Sequence, residues 1–379
     1  MASQDRKHGP LVSALATAGL ALALSTIFGR SEPQGGDARN DRQSGDPKRP
    51  KDDTSAPNAH QAAREPGRGR EAASPEHIPP KGWWDIMWRV YDEVGKDRIL
   101  AVAAGVTFYG LLALFPAVGA LVALYGIVAD PGTINDHLSL VGGMLPGGAM
   151  DIITEQVKRI TSKPNSTLGL ATAFGIAVSL WSANAGMKAI FDALNVAYNE
   201  TEKRNFFVLN LTSLAFTFGG IVFLLLAMGS VVVVPIVLKF IGLGGAADWL
   251  VWLGRWPVLA AVTIGALAVL YRYGPSRDRA QWRWLAPGGI LAALGWMVFS
   301  MLFSWYVGSF GNYNETYGSL GAAIGFMTWM WLSATIILVG AELNAETEHQ
   351  TAEDTTVGPR QPLGTRGARM ADTVGEARA

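Results

Sequence analysis

The polar residues best able to do chemistry in this chain stand at the edges of its most apolar stretches. Asn184, Lys188, Asp192 and Asn195 recur at intervals of four, four and three residues, which puts them on one helix face. Tyr198 and Glu202 extend that stripe if the helix continues. Glu342 and Asn344 close another apolar run. Asn184, Lys188, Asp192 and Asn195 with Glu342 and Asn344 are the candidate lining of a polar pathway, because ionisable groups at membrane depth are costly and by default functional. The plainer reading is an interfacial Lys188–Asp192 pair with a polar helix cap. Asn210, Ser213 and Thr217 form a second stripe, expected to hydrogen-bond between helices rather than to hold a ligand.

Other chemistries lack their parts. The chain has no cysteine, which removes disulfides, thiolate catalysis and cysteine-built metal centres. Of five histidines only His137 lies in the apolar body, so no histidine metal site is expected. H-E-x-x-H, P-loop and G-x-S-x-G motifs are missing. The reading is of a protein that is not an enzyme and has no cofactor. With 31 basic against 31 acidic residues there is no basic surface for nucleic acid.

The elements that position the polar residues follow from composition. Among 379 residues, 49% are hydrophobic and only 16% charged, the balance of a membrane protein with wet ends. Six uncharged or nearly uncharged runs, near 101–128, 167–187, 208–236, 253–272, 286–307 and 319–341, approach or exceed the roughly 20 residues a spanning helix needs. They are continuously apolar, not alternating, which favours helices over barrel strands. The fold expected is all-α and integral to the membrane, with a six-helix transmembrane core. Pro116 and Pro235 lie inside the first and third runs, where they should kink or break a helix. Leu168/Leu320, Gly169/Gly321 and three further pairs match at an offset of 152, a weak sign of an internal repeat.

Lys and Arg number 11 on the side that holds both core ends and 5 on the other, so the core termini are expected in the cytoplasm. Leu11–Phe28 is a further uncharged stretch within residues 1–28, open to reading as an extra span, an interfacial segment or a cleaved one. Residues 29–82 hold 8 of 19 prolines and, as their one large apolar residue, Ile78. They are expected to be a disordered tether, and residues 349–379 a disordered tail. Deleting 30–80 should then leave the core folded. The membrane domain is expected over 83–348. In the connection 130–163, Met150, Ile153, Val157 and Ile160 recur at helical spacing and suggest a short amphipathic helix, packed against the bundle or lying on the outer membrane surface.

Four motifs stand out in order along the chain. The first is Thr107-Phe-Tyr109 leading to Phe115-Pro116. The second runs from Trp181-Ser-Ala-Asn184 to Tyr198-Asn-Glu-Thr-Glu202-Lys-Arg204. The third runs from Tyr271-Arg-Tyr-Gly-Pro275 to Trp282-Arg-Trp-Leu-Ala-Pro287. The last is Tyr313-Asn314-Glu-Thr-Tyr317-Gly318 followed by Gly340-Ala-Glu342-Leu-Asn344. These resemble the YihY/BrkB family of bacterial inner-membrane proteins over residues 83–348. The resemblance implies a six-helix core with cytoplasmic ends and a place in envelope lipid handling. It marks Tyr109, Pro116, Trp181, Tyr198, Glu202, Arg204, Tyr313, Asn314, Tyr317 and Gly318 as motif positions. The family's ribonuclease BN label finds no support in these residues.

The functional expectation is a transporter or flippase-like protein of the cell inner membrane for a lipid or small amphiphile, with membrane lipids as partners. Without an ATP site, transport would be gradient-driven or passive. The competing expectation is a non-transporting scaffold whose tails recruit partners. The sequence does not set an oligomeric state.

Overall fold

The computed structural model describes residues 62–128, 170–240, 244–310 and 319–378. Among these the chain is helical and has no strand, only an isolated bridge between Ala280 and Thr356. The possible N-terminal span, the outer helix of 130–163 and Tyr313, Asn314, Tyr317 and Gly318 lie outside the described residues.

Helix α1 (Pro80–Lys96) begins on a proline at its first turn, where the missing N–H costs nothing. It buries Asp85, Ile86, Arg89 and Val90 and exposes Trp84, Trp88 and Tyr91. The three rings pack edge to face, 5.9 and 6.0 Å apart. Aromatics outward and charges inward suit a helix at a lipid headgroup boundary. At its end Arg98 takes the left-handed backbone (φ 52°), and the chain bends by 60° into α2 (Ile99–Val128).

The remaining helices are α3 (Leu170–Ala197), α4 (Phe206–Phe240), α5 (Gly244–Tyr273), α6 (Trp282–Phe310), α7 (Ser319–His349) and the one-turn α8 (Arg369–Asp372). Among the described residues three stretches are long and apolar enough to cross a membrane: Phe206–Phe223, Trp282–Val307 and Ala323–His349. The bent pair α1–α2 makes a fourth if it counts as one span. Their outward side chains are apolar: Phe207 is 81% exposed, and Leu211 and Leu302 are also exposed. In water such surface would be strongly unfavourable; against lipid it is solvated.

Helix α7 is the hub, packed on α1, α2, α3, α6 and α8. Its tightest neighbour is α6, where Gly288 faces Gly340 so closely that neither position has room for a Cβ. Small residues let helix backbones approach where apolar side chains gain nothing by leaving lipid. Tyr271 of α5 closes the same spot, its hydroxyl donating to the Ile337 carbonyl at 2.7 Å.

Of the expected tether, residues 29–61 lie outside the described residues. The described part of the tether, 62–82, and the tail, 350–378, are both ordered. Arg70 donates to the carbonyls of Gln350 (3.1 Å) and Gly375 (2.7 Å), and Arg68 to both Asp85 oxygens at 2.7 Å. Arg366 donates to the carbonyls of Ala371, Ala352 and Glu353 at 2.7 to 3.0 Å. Ile78 is buried with Ala72, Ile86, Val90, Trp284 and Leu343. Ordering entropy is offset here by arginine-to-carbonyl bonds and small buried residues, which a count of large apolar residues does not register. Removing residues 62–80 would take Arg68 from the fully buried Asp85, so deletion of 30–80 measures how much that contact contributes to the core.

Candidate functional site

The expected stripe on α3 divides. Asn184 is buried, and its amide donates to Asn210 on α4 at a long 3.5 Å, while its own oxygen has no hydrogen-bond partner. Lys188 lies over the Trp181 ring, 5.4 Å from the centroid, and Asp192 is exposed. The seven-residue spacing from Trp181 to Lys188 is the signal that foreshadows this stacking. Of the α4 stripe, Asn210 bonds to another helix, whereas Ser213 and Thr217 bond to carbonyls of their own helix.

The helix does not carry the stripe on to Tyr198 and Glu202. It ends at Ala197, and Asn199 adopts the left-handed conformation (φ 53°) that asparagine tolerates at a helix stop. The chain then turns into a clasp. Asn195 accepts from the Ser276 amide at 2.7 Å and donates to Glu202 at 3.2 Å. Arg204 grips both Glu202 oxygens and donates to the carbonyls of Tyr273 and Gly274. Burial pushes the Glu202 carboxyl up, but the Arg204 bonds outweigh it and hold the group at about 2. Above its unfolded value Glu202 therefore favours the fold, and that contribution is lost only as pH falls towards 2. These motif residues tie α3, α4 and the end of α5 together.

Beside the clasp lies a chain of buried charges. Arg277 donates to both oxygens of Glu348, at 2.7 and 2.9 Å, and lies 4.6 Å over the Tyr198 ring. Thr355 donates to Glu348 as well, at 2.8 Å. Arg89 pairs with Glu346 and donates to the Gln350 side chain at 2.7 Å. Each of these carboxylates has a cation.

Glu342 does not. It is 0% exposed, and neither carboxyl oxygen has a hydrogen-bond partner. The carboxyl group within its reach is Asp97, at the elbow between α1 and α2. Asn344, also fully buried, accepts from the Gly288 amide at 2.7 Å. Its free amide nitrogen lies beside the Tyr198 hydroxyl, which is also without a completed bond. The structure thus gathers Glu342, Asn344 and Tyr198 with Asp97, and leaves Lys188 and Asp192 apart. Sequence reasoning missed Asp97, Arg277, Glu346 and Glu348. The spacing of Leu338, Glu342, Glu346 and Gln350 by fours was the available sign that acidic residues share one face of α7.

No group of three or more histidine or acidic side chains suited to a metal occurs among the described residues. An open groove of about 660 Å³ runs along α6 from Pro287 to Leu302, bounded by Trp83 of α1 and Leu343 of α7, and is almost wholly apolar.

A family model described as virulence factor BrkB matches residues 90–363, across α1 to α7 and into the ordered tail. The chain belongs to the BrkB family. A ribonuclease-like protein, YfkH, of Bacillus subtilis (strain 168) is 34% identical over 251 residues, 64% of this chain and 88% of that protein. A UPF0761 membrane protein of Neisseria meningitidis serogroup B is 26% identical over 272 residues, 71% of this chain and 64% of the relative. Another of Pseudoalteromonas translucida is 23% identical over 72% of this chain and 88% of the relative. No solved structure matches. This BrkB-family chain is a membrane protein.

Proposed function

We propose that this BrkB-family protein is a six-span transporter of the bacterial inner membrane, with its core ends in the cytoplasm, that moves a lipid or small amphiphile. The observation that carries the reading is Glu342. A sealed carboxyl without a cation is expensive in a helix of membrane length, and a protein built only for support has no reason to keep it. Asn184, Asn195 and Asn344 supply further buried polar atoms, with Lys188 and Asp192 at the pathway mouth. The apolar groove on α6 offers acyl chains a track beside that polar column. A scaffold would use free tails, but residues 350–378 are engaged by the protein's own arginines. A nuclease would need metal carboxylates or an acid–base pair on a basic surface, and the α7 carboxylates are buried instead.

The reading makes Glu342→Gln inactive in an assay of lipid export or complementation while expression and folding stay normal. Lys188→Ala should cost only about 0.5–1 kcal/mol, the worth of an exposed cation–π contact, and should weaken activity without abolishing it. Wild-type activity in Glu342→Gln removes the reason for preferring transport. Orientation is checked by cysteine labelling: a cysteine at Arg279 should react only after permeabilisation, and one at Gly311 from outside. The opposite pattern inverts the topology.

A further inference from the structure

The Asp97–Glu342 contact has no protein cation to explain it. Two ionised carboxylates carry no hydrogen, so neither can donate to the other. Asp97 Oδ2 and both Glu342 oxygens have no hydrogen-bond donor among the described residues. One proton between them converts the contact into an O–H···O⁻ hydrogen bond, the strongest arrangement open to such a pair.

We propose that Asp97 and Glu342 form a carboxylic acid pair that binds a single proton, a proton site built into the α1–α2 elbow. The surroundings support a proton over a larger cation. Glu93 of α1 and Glu346 of α7 lie nearby, and Lys96, the neighbouring cation, is bonded to Glu93 at 2.6 Å instead of to Asp97. Glu346 is itself taken by Arg89, with His349 alongside. From just beyond the end of α3 the group that approaches is the Tyr198 phenol, over which Arg277 lies. No third carboxyl or histidine completes a metal shell among the described residues. Access is one-sided: Glu342 is sealed inside the bundle, whereas Asp97 is only partly buried. A proton enters through Asp97 and leaves the same way.

The site deepens the transport reading by naming its coupling ion, yet it is measurable without transport. Infrared difference spectra of the full-length protein in detergent, recorded across pH, should show one protonated-carboxyl C=O band at pH 7. The band should disappear in Glu342→Gln and in Asp97→Asn. In Glu342→Gln the amide can donate to Asp97 as the protonated acid does, so this variant should fold and should lose less stability than wild type as pH rises. A wild-type protein without the band at pH 7, or a band unchanged in both variants, overturns the proposal. So does disappearance of the band when sodium or calcium is added at constant pH, because a cation would then occupy the site. A band that behaves as expected in a protein that moves no lipid overturns the transport reading alone.

Discussion

Gly288→Ala is expected to abolish folding of the membrane domain, the largest effect foreseen for a single methyl group. The new Cβ would overlap the Gly340 carbonyl oxygen and lie 2.6 Å from the Asn344 side-chain carbon. The first obstacle is backbone, so no rotamer change relieves it. Overpacking of this kind costs about 1–3 kcal/mol and more when a backbone must move. Separating α6 from α7 would also break the Gly288–Asn344 hydrogen bond and strand two buried polar atoms, a further cost of about 1–3 kcal/mol. The sum is a large share of the roughly 5–15 kcal/mol that separates folded from unfolded domains. Gly295→Ala is the control. It lies on the same helix, but its Cβ would meet Ile336 at 3.5 Å, an ordinary contact. Size-exclusion profiles and thermal unfolding in detergent should show an intact Gly295→Ala protein and an aggregated or absent Gly288→Ala protein. Equal behaviour of the two would mean that the α6–α7 crossing is looser than described.

Arg277→Met should destabilise the protein by about 3–5 kcal/mol, the usual penalty for leaving a buried charge without its partner. Glu348 is fully buried, and without Arg277 its remaining side-chain partner is the Thr355 hydroxyl. The aromatic face of Tyr198 would lose its covering guanidinium as well. The companion variant is Arg277→Met with Glu348→Gln. It removes the stranded charge and should recover most of the lost stability, because a buried ion pair contributes little beyond its own desolvation cost. The check is thermal unfolding of both variants beside wild type. A double variant no better than the single one would show that Arg277 matters through packing and not through charge.

The apolar skeleton was legible in the chain because lipid imposes a simple rule. Runs such as 208–236 and 286–307 have nothing to do but span, and α4 and α6 cover them. Glu342 and Asn344 were legible for the converse reason, as polar residues where polarity is costly. Asp97 was not. In Lys96-Asp97-Arg98 it reads as solvated charge, and only the left-handed backbone at Arg98 turns it towards α7. The stop of α3 was hidden in the same way, since Asn199 marks it by conformation and not by hydropathy. The ordered ends escaped because composition counts large apolar residues. It does not see that Arg70 and Arg89 find carbonyls and carboxylates brought together from far apart in the chain, or that Arg366 gathers the carbonyls of its own loop.

That last feature sets an order of events during synthesis. Arg70 finds its Gly375 partner 305 residues later in the chain. At bacterial elongation rates of about 5–20 residues per second, the gap is roughly 15–60 s. Through that interval Arg70 lacks its carbonyl partners at Gln350 and Gly375, and Arg89 lacks Glu346, Gln350 and Glu376. The helices can enter the bilayer one by one, yet this end of the bundle locks only when residues 350–378 fold back over α1. The nascent protein is therefore an open assembly whose last thirty residues act as the latch.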